Sequence, residues 1–157
     1  ATALARNLQW IARMIKGELA TPVYYTSLGG FDTHAGQLNK HKQLLGELSE
    51  SLHAFYTDMH DSGLAEQVTV LVFSEFGRRV KDNGSGTDHG TAAPVFVLST
   101  GNKNHIVGEN PNLHDLDNGD LKYRIDFRSV YSSLLQQLFQ FDAAQIGITG
   151  APVPGLF

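Results

Sequence analysis

The sequence predicts an α/β fold with a mostly parallel sheet flanked by helices. Three observations carry that expectation. Three stretches repeat apolar residues at helical spacing, and three short β-branched or aromatic runs fall between them. Polar, glycine-rich loops adjoin those runs, and α/β folds place their sites beyond the strand ends.

The first helix is expected over Thr2–Lys16, where Leu4, Leu8, Ile11 and Ile15 recur and Gly17 gives a stop. Pro22–Leu28 (PVYYTSL), bounded by proline and by Gly29-Gly30, reads as the first strand. A long helix follows over Ala35–Ser62, with Leu38, Leu45, Leu48, Leu52, Phe55 and Met59 as its apolar stripe and Gly63 as its stop. Val68–Phe73 (VTVLVF) is a nearly unbroken apolar run, the pattern of a strand buried on both faces. Pro94–Leu98 is a third short strand, reached through a polar loop at Arg78–Thr91. After a polar stretch at Gly101–Asp120, Asp126 caps a helix at Phe127–Phe139 with Val130, Leu134, Leu135 and Leu138 facing inward. Gly150–Phe157 is rich in proline and glycine and reads as extended. No repeat and no linker divides the chain, so residues 1–157 are taken as one domain.

Composition narrows the function. The 157 residues are 41% apolar and 18% charged, the profile of a folded protein with a core. A net charge of -4, with no basic cluster beyond Arg78-Arg79-Val80-Lys81, argues against a nucleic-acid or anionic-membrane surface. No apolar run approaches the roughly 18 residues of a spanning helix. The absence of cysteine excludes disulfides, thiolate metal sites and cysteine nucleophiles. Ala1–Gly17 has neither the charged region nor the apolar core of an export signal, and reads as the interior of a domain.

The polar residues gather in three loops. Gly29-Gly30-Phe31-Asp32-Thr33-His34 follows the first expected strand, Ser74-Glu75-Phe76-Gly77-Arg78 follows the second, and Gly86-Thr87-Asp88-His89-Gly90 precedes the third. Each brings a carboxylate, and two bring a histidine beside it. Imidazole with carboxylate suits zinc or another divalent cation. Each piece also has an ordinary structural reading. Asp32 or Thr33 can cap the following helix, Glu75 can pair with Arg78 or Arg79, and Asp88 can belong to a turn. His41 lies on the apolar face of its helix and reads as a hydrogen-bonded interior histidine, with a supporting role toward a metal open. His53, His60, His105 and His114 read as surface residues.

Those three blocks, with Asp126-Phe127-Arg128 and Val130-Tyr131 as a fourth, resemble the signatures of a bacterial sulfatase-like family, domain of unknown function 1501. The resemblance runs from about Leu4 to Gly147, with the blocks in family order. That family in turn resembles the alkaline phosphatase and sulfatase superfamily. The resemblance implies an alkaline-phosphatase-like sheet, a periplasmic or secreted location, and a divalent metal, with zinc first and calcium or manganese as the other candidates. It implies Asp32, His34 and His89 as one ligand set and Glu75 as an acidic ligand beside it. Asp88, Arg78 and His41 take supporting or anion-binding roles, and the substrate is a small anionic ester. Two departures stand out. Phe76 occupies the position where the superfamily often has a second histidine, and no block here resembles the superfamily's upstream nucleophile. The chain is therefore expected to be the C-terminal part of a longer protein, partnered by its N-terminal half, with no catalytic nucleophile of its own. The competing expectation is a non-catalytic secreted binding or envelope-associated protein that retains the fold.

Overall fold

Thr2 opens the first helix by accepting a hydrogen bond from the Ala5 N–H at 3.3 Å. Helix α1 (Ala3–Lys16) buries Leu4, Leu8 and Ala12 and closes at Gly17, whose N–H donates to the Arg13 and Ile15 carbonyls. Helix α2 (Gln37–Asp61) buries Leu44, Ser51, Phe55 and Met59. The spacing of seven, four and four residues keeps these on one face. α1 and α2 pack against each other, and the Lys16 ammonium reaches the Asp58 carboxylate at 2.7 Å. Met59 is wholly enclosed, and burying an apolar side chain of that size stabilises by about 1.5–3 kcal/mol. Leu38 and Leu45 of the expected stripe lie on its flank and stay exposed.

The computed structural model describes residues 1–101 and 105–157. Residues 102–104, inside the polar stretch Gly101–Asp120, lie outside the described residues. The chain divides into two compact units, Ala1–Thr69 with Lys81–Asp88, and Val70–Val80 with His89–Phe157.

The expected parallel sheet is overturned. Among the described residues the strands are short and form three two-stranded pairs: β1 (Val70–Val72) with β4 (Phe96–Leu98), β2 (Gly77–Asp82) with β3 (Thr87–Gly90), and β5 (Leu116–Asp117) with β6 (Asp120–Leu121). β1 and β4 run antiparallel, with Val70 opposite Leu98 and Val72 opposite Phe96. A parallel pair needs a crossover, usually a helix, between its strands. The segment joining β1 to β4 holds the β2–β3 hairpin instead. An alkaline-phosphatase-like α/β layer is therefore not the architecture of this chain, and Val68–Phe73 is no interior strand: its β1 is partly exposed and paired on one side.

Pro22–Leu28 forms no strand. Its residues do alternate, with Tyr24, Thr26 and Leu28 half-buried and Val23, Tyr25 and Ser27 exposed. The chain is extended there but lies in the helical unit, beside α1, where the Asn7 amide donates to Thr26 Oγ1 at 3.1 Å. An extended run becomes a strand only when its backbone finds a ladder partner.

In the second unit, α3 (Phe127–Phe139) is capped by Asp126 as the sequence implies. Its buried residues are Val130, Ser132 and Ser133, while Leu138 is exposed. Ser133 explains the shift of face. Its hydroxyl donates to the Ser129 carbonyl and accepts from the Val153 N–H at 2.7 Å, fastening the C-terminal segment along the helix.

Candidate functional site

The Asp32–His34 loop is shaped by what lies beneath it. Gly30 has φ 97°, a left-handed conformation, and a Cβ there would meet the Leu44 side chain at 3.4 Å. Glycine thus lets the chain turn closely over α2. Phe31 then meets the His41 ring edge-on, with centroids 5.5 Å apart. Thr33 is buried, and its hydroxyl lies 2.8 Å from His41 Nε2. Because Thr33 turns inward, its neighbours Asp32 and His34 turn outward, and both are exposed.

The tip of the β2–β3 hairpin closes on this loop. Asp82, Asn83 and Gly84 make the turn: the Gly84 N–H donates to Asp82 Oδ1 and the Gly86 N–H to Asn83 Oδ1. The Asn83 amide donates to the His34 carbonyl at 3.1 Å. The Gln37 N–H donates to the Ser85 carbonyl, and the Gln37 and Thr87 side chains hydrogen-bond at 3.0 Å. Gly86 lies against the loop so tightly that a Cβ would fall 2.6 Å from the His34 carbonyl carbon. This docking delivers Asp88. His34 Nδ1 is 3.1 Å from Asp32 Oδ1, and His34 Nε2 is 3.9 Å from Asp88 Oδ1. The three side chains are each more than half exposed, so the Coulomb attraction among them is weakened by water.

The structure therefore brings Asp32, His34 and Asp88 together in the first unit. Asp88, expected only to support the site, stands across from the imidazole. His41 sits beneath the loop, half-buried, with one ring nitrogen engaged.

Glu75, Arg78 and His89 belong to the second unit. Ser74 closes a tight turn there, its hydroxyl donating to the Phe76 carbonyl at 2.8 Å, and Glu75 projects from that turn, exposed. The exposed His89 ring stacks on Phe76 at 4.0 Å and 8°. The Arg78 guanidinium lies 5.1 Å from the same ring, a cation–π contact. Phe76 thus forms an aromatic support for two of the expected site residues. The fourth block has a structural role. The Arg128 guanidinium, with the Arg128 backbone N–H second, holds the Asp126 carboxyl down to about 2.

Arg78–Thr91, expected as a polar loop, contains the hairpin whose tip fastens the Asp32–His34 loop. The signal was present: Asn83-Gly84 is a turn-forming dipeptide, here inside a polar run.

The class these features define is a helix-and-hairpin protein that presents imidazole and carboxylate side chains from short loops. The chain belongs to the family described as protein of unknown function (DUF1501), which matches residues 11–139. No curated protein and no solved structure matches the sequence.

Proposed function

We propose that this chain is the metal-binding part of a hydrolase acting on small phosphate or sulfate esters. The observation that carries the reading is His34 set between two carboxylates, Asp32 on Nδ1 and Asp88 facing Nε2. A carboxylate on one imidazole nitrogen fixes the ring and raises its basicity toward a cation on the other. Two zinc–ligand bonds of about 2.0–2.2 Å at a tetrahedral angle set their donor atoms roughly 3.4 Å apart. The 3.9 Å between His34 Nε2 and Asp88 Oδ1 closes to that with a small movement of either exposed side chain.

The family resemblance implies Asp32, His34 and His89 as ligands with Glu75 beside them; in this reading Asp32 serves from the Nδ1 side as the orienting carboxylate, and Asp88 stands at Nε2. The cation is zinc, calcium or manganese. When bound, such an ion polarises an ester oxygen. This chain's own residues do the rest. Asp32 orients His34, the hairpin tip holds Asp88 opposite, and Arg78 offers a guanidinium suited to a phosphate or sulfate group. Four of the nearby hydroxyls are committed elsewhere: Thr33 to His41, Ser74 to its own turn, Thr87 to Gln37 and Thr91 to the Leu121 carbonyl. The nucleophile in this reading belongs to an N-terminal half of a longer, exported protein.

One observation favours a second reading. Phe76 covers a face of the His89 ring, which suits a non-catalytic binding protein that keeps at most one cation. Two measurements on the purified chain separate the possibilities. Zinc titration should show binding that is lost on His34→Ala. A chromogenic phosphate or sulfate ester should not be turned over, with or without metal. Absence of zinc, manganese and calcium binding would refute the metal reading, and turnover that vanishes with His89→Ala would show a complete catalytic site in this chain.

A further inference from the structure

The Phe31 carbonyl collects three groups. The Thr33 N–H donates to it at 2.9 Å, His41 Nε2 lies 3.3 Å away and the Thr33 hydroxyl 3.4 Å away. His41 Nε2 is also 2.8 Å from Thr33 Oγ1. A proton on Nε2 satisfies all of these contacts together. If Nε2 were bare, two acceptors, Nε2 and the carbonyl oxygen, would face each other at 3.3 Å. If Nε2 carries the proton, it donates to Thr33 Oγ1 and forks toward the carbonyl, while the Thr33 hydroxyl donates to that carbonyl. The Phe31 ring against the imidazole edge fixes the ring's plane.

We propose that His41 is a positioning residue: as the Nε2–H tautomer, it holds Thr33 and the Phe31 carbonyl inward so that Asp32 and His34 face outward together. This rests on the metal reading for its functional consequence, and on the loop geometry alone for its structural one. The reasoning is steric. In an extended turn, residues i and i+2 share a side when i+1 points the other way. Thr33 is the i+1 residue, and α2 supplies His41 within 2.8 Å of its hydroxyl. Release of Thr33 frees the loop to rotate, and the 3.1 Å approach of Asp32 to His34 goes with it.

The test compares wild type, His41→Ala, His41→Gln, Thr33→Val and the double variant His41→Ala/Thr33→Val in the 157-residue chain. Glutamine keeps an N–H at nearly the reach of Nε2. Zinc affinity should fall about 10–100-fold in His41→Ala, the usual cost of losing a group that orients a ligand. Thr33→Val should fall equally, the double variant no further, and His41→Gln should recover most of the loss. Apo-protein unfolding midpoints should not follow that order. Nitrogen-15 histidine spectra of the wild type should show His41 protonated at Nε2. Zinc affinity unchanged in both His41→Ala and Thr33→Val would overturn the proposal, as would a bare Nε2. Should the wild type bind no zinc, the metal reading fails by itself, and amide exchange decides the positioning. Faster exchange at Thr33 and His34 in His41→Ala or Thr33→Val sustains it, and unchanged exchange in both overturns it.

Discussion

The Asp32–His34 loop and the Glu75–Arg78 loop each carry an acidic residue that is a candidate metal ligand, yet they are built on different supports. The first is fastened by polar groups: His41 and Thr33 from below, Asn83 and Gln37 with the hairpin tip from the side. Its imidazole has carboxylates at both nitrogens. The second is organised on an aromatic ring, with His89 stacked on Phe76 and Arg78 beside the ring. Hydrogen bonds fix direction as well as distance, so the first loop aims its side chains. Stacking fixes a plane but leaves rotation within it. In the proposed function the first loop is accordingly the one that binds the ion, and the second takes a looser, anion-facing role.

The largest expected effect breaks the first loop's fastening. Gly86→Ala places a methyl 2.6 Å from the His34 carbonyl carbon and 2.8 Å from the Thr33 carbonyl oxygen, both backbone atoms that cannot swing away. Forced overpacking of this kind costs about 1–3 kcal/mol. Denaturant unfolding should show that loss, together with weaker zinc binding. A variant as stable as wild type would mean that the tip is not docked as described.

A smaller effect tests the second loop. Phe76→Ala removes the ring under His89, and stacked aromatic pairs contribute roughly 0.5–1.5 kcal/mol beyond their buried area. The two readings part at Phe76→His, which restores a second imidazole. If His89 and Glu75 are ligands, this variant should bind zinc more tightly or in higher ratio than wild type, as calorimetry would show. An unchanged zinc isotherm would favour the non-catalytic reading.

The smallest effect lies in the fourth block and should leave both loops untouched. The folded-state pKa of Asp126 is depressed to about 2 against an ordinary value of 3.8. The stabilisation is therefore complete above the ordinary value and is lost as pH falls through about 2. Asp126→Asn should lower the thermal midpoint at neutral pH and match wild type near the acid end, with zinc affinity unaltered. A zinc effect would mean that this block belongs to the site.

Much of the helical content is legible in the sequence. The three helices fall where periodicity and caps place them, because Thr2, Gly17 and Asp126 act locally. Sheet architecture is not, because pairing depends on distant partners. The alternation of Pro22–Leu28 is present without any ladder, and the apolar run at Val68–Phe73 cannot distinguish burial by helices from an incompletely covered two-stranded pair. Two hairpins lie in segments expected as loops. Asn118-Gly119, with φ 49° and 88°, turns β5 into β6, yet the surrounding Asn and Asp residues make the segment look like loop. In the site, residue types point to Asp32 and His34, but the role of Asp88 follows from where the hairpin tip docks. That docking depends on Gly86 lacking a side chain, which no spacing rule reports.

The central claim is that His34, aimed by Asp32, binds a divalent cation through Nε2. Nitrogen-15 imidazole spectra of the full chain during zinc titration test it most directly. The account predicts that His34 Nε2 shifts and saturates with one equivalent while His60 and His114 stay unmoved, and that Asp32→Ala weakens the binding. Saturation without a change at His34, or a response centred on Nδ1, would contradict it.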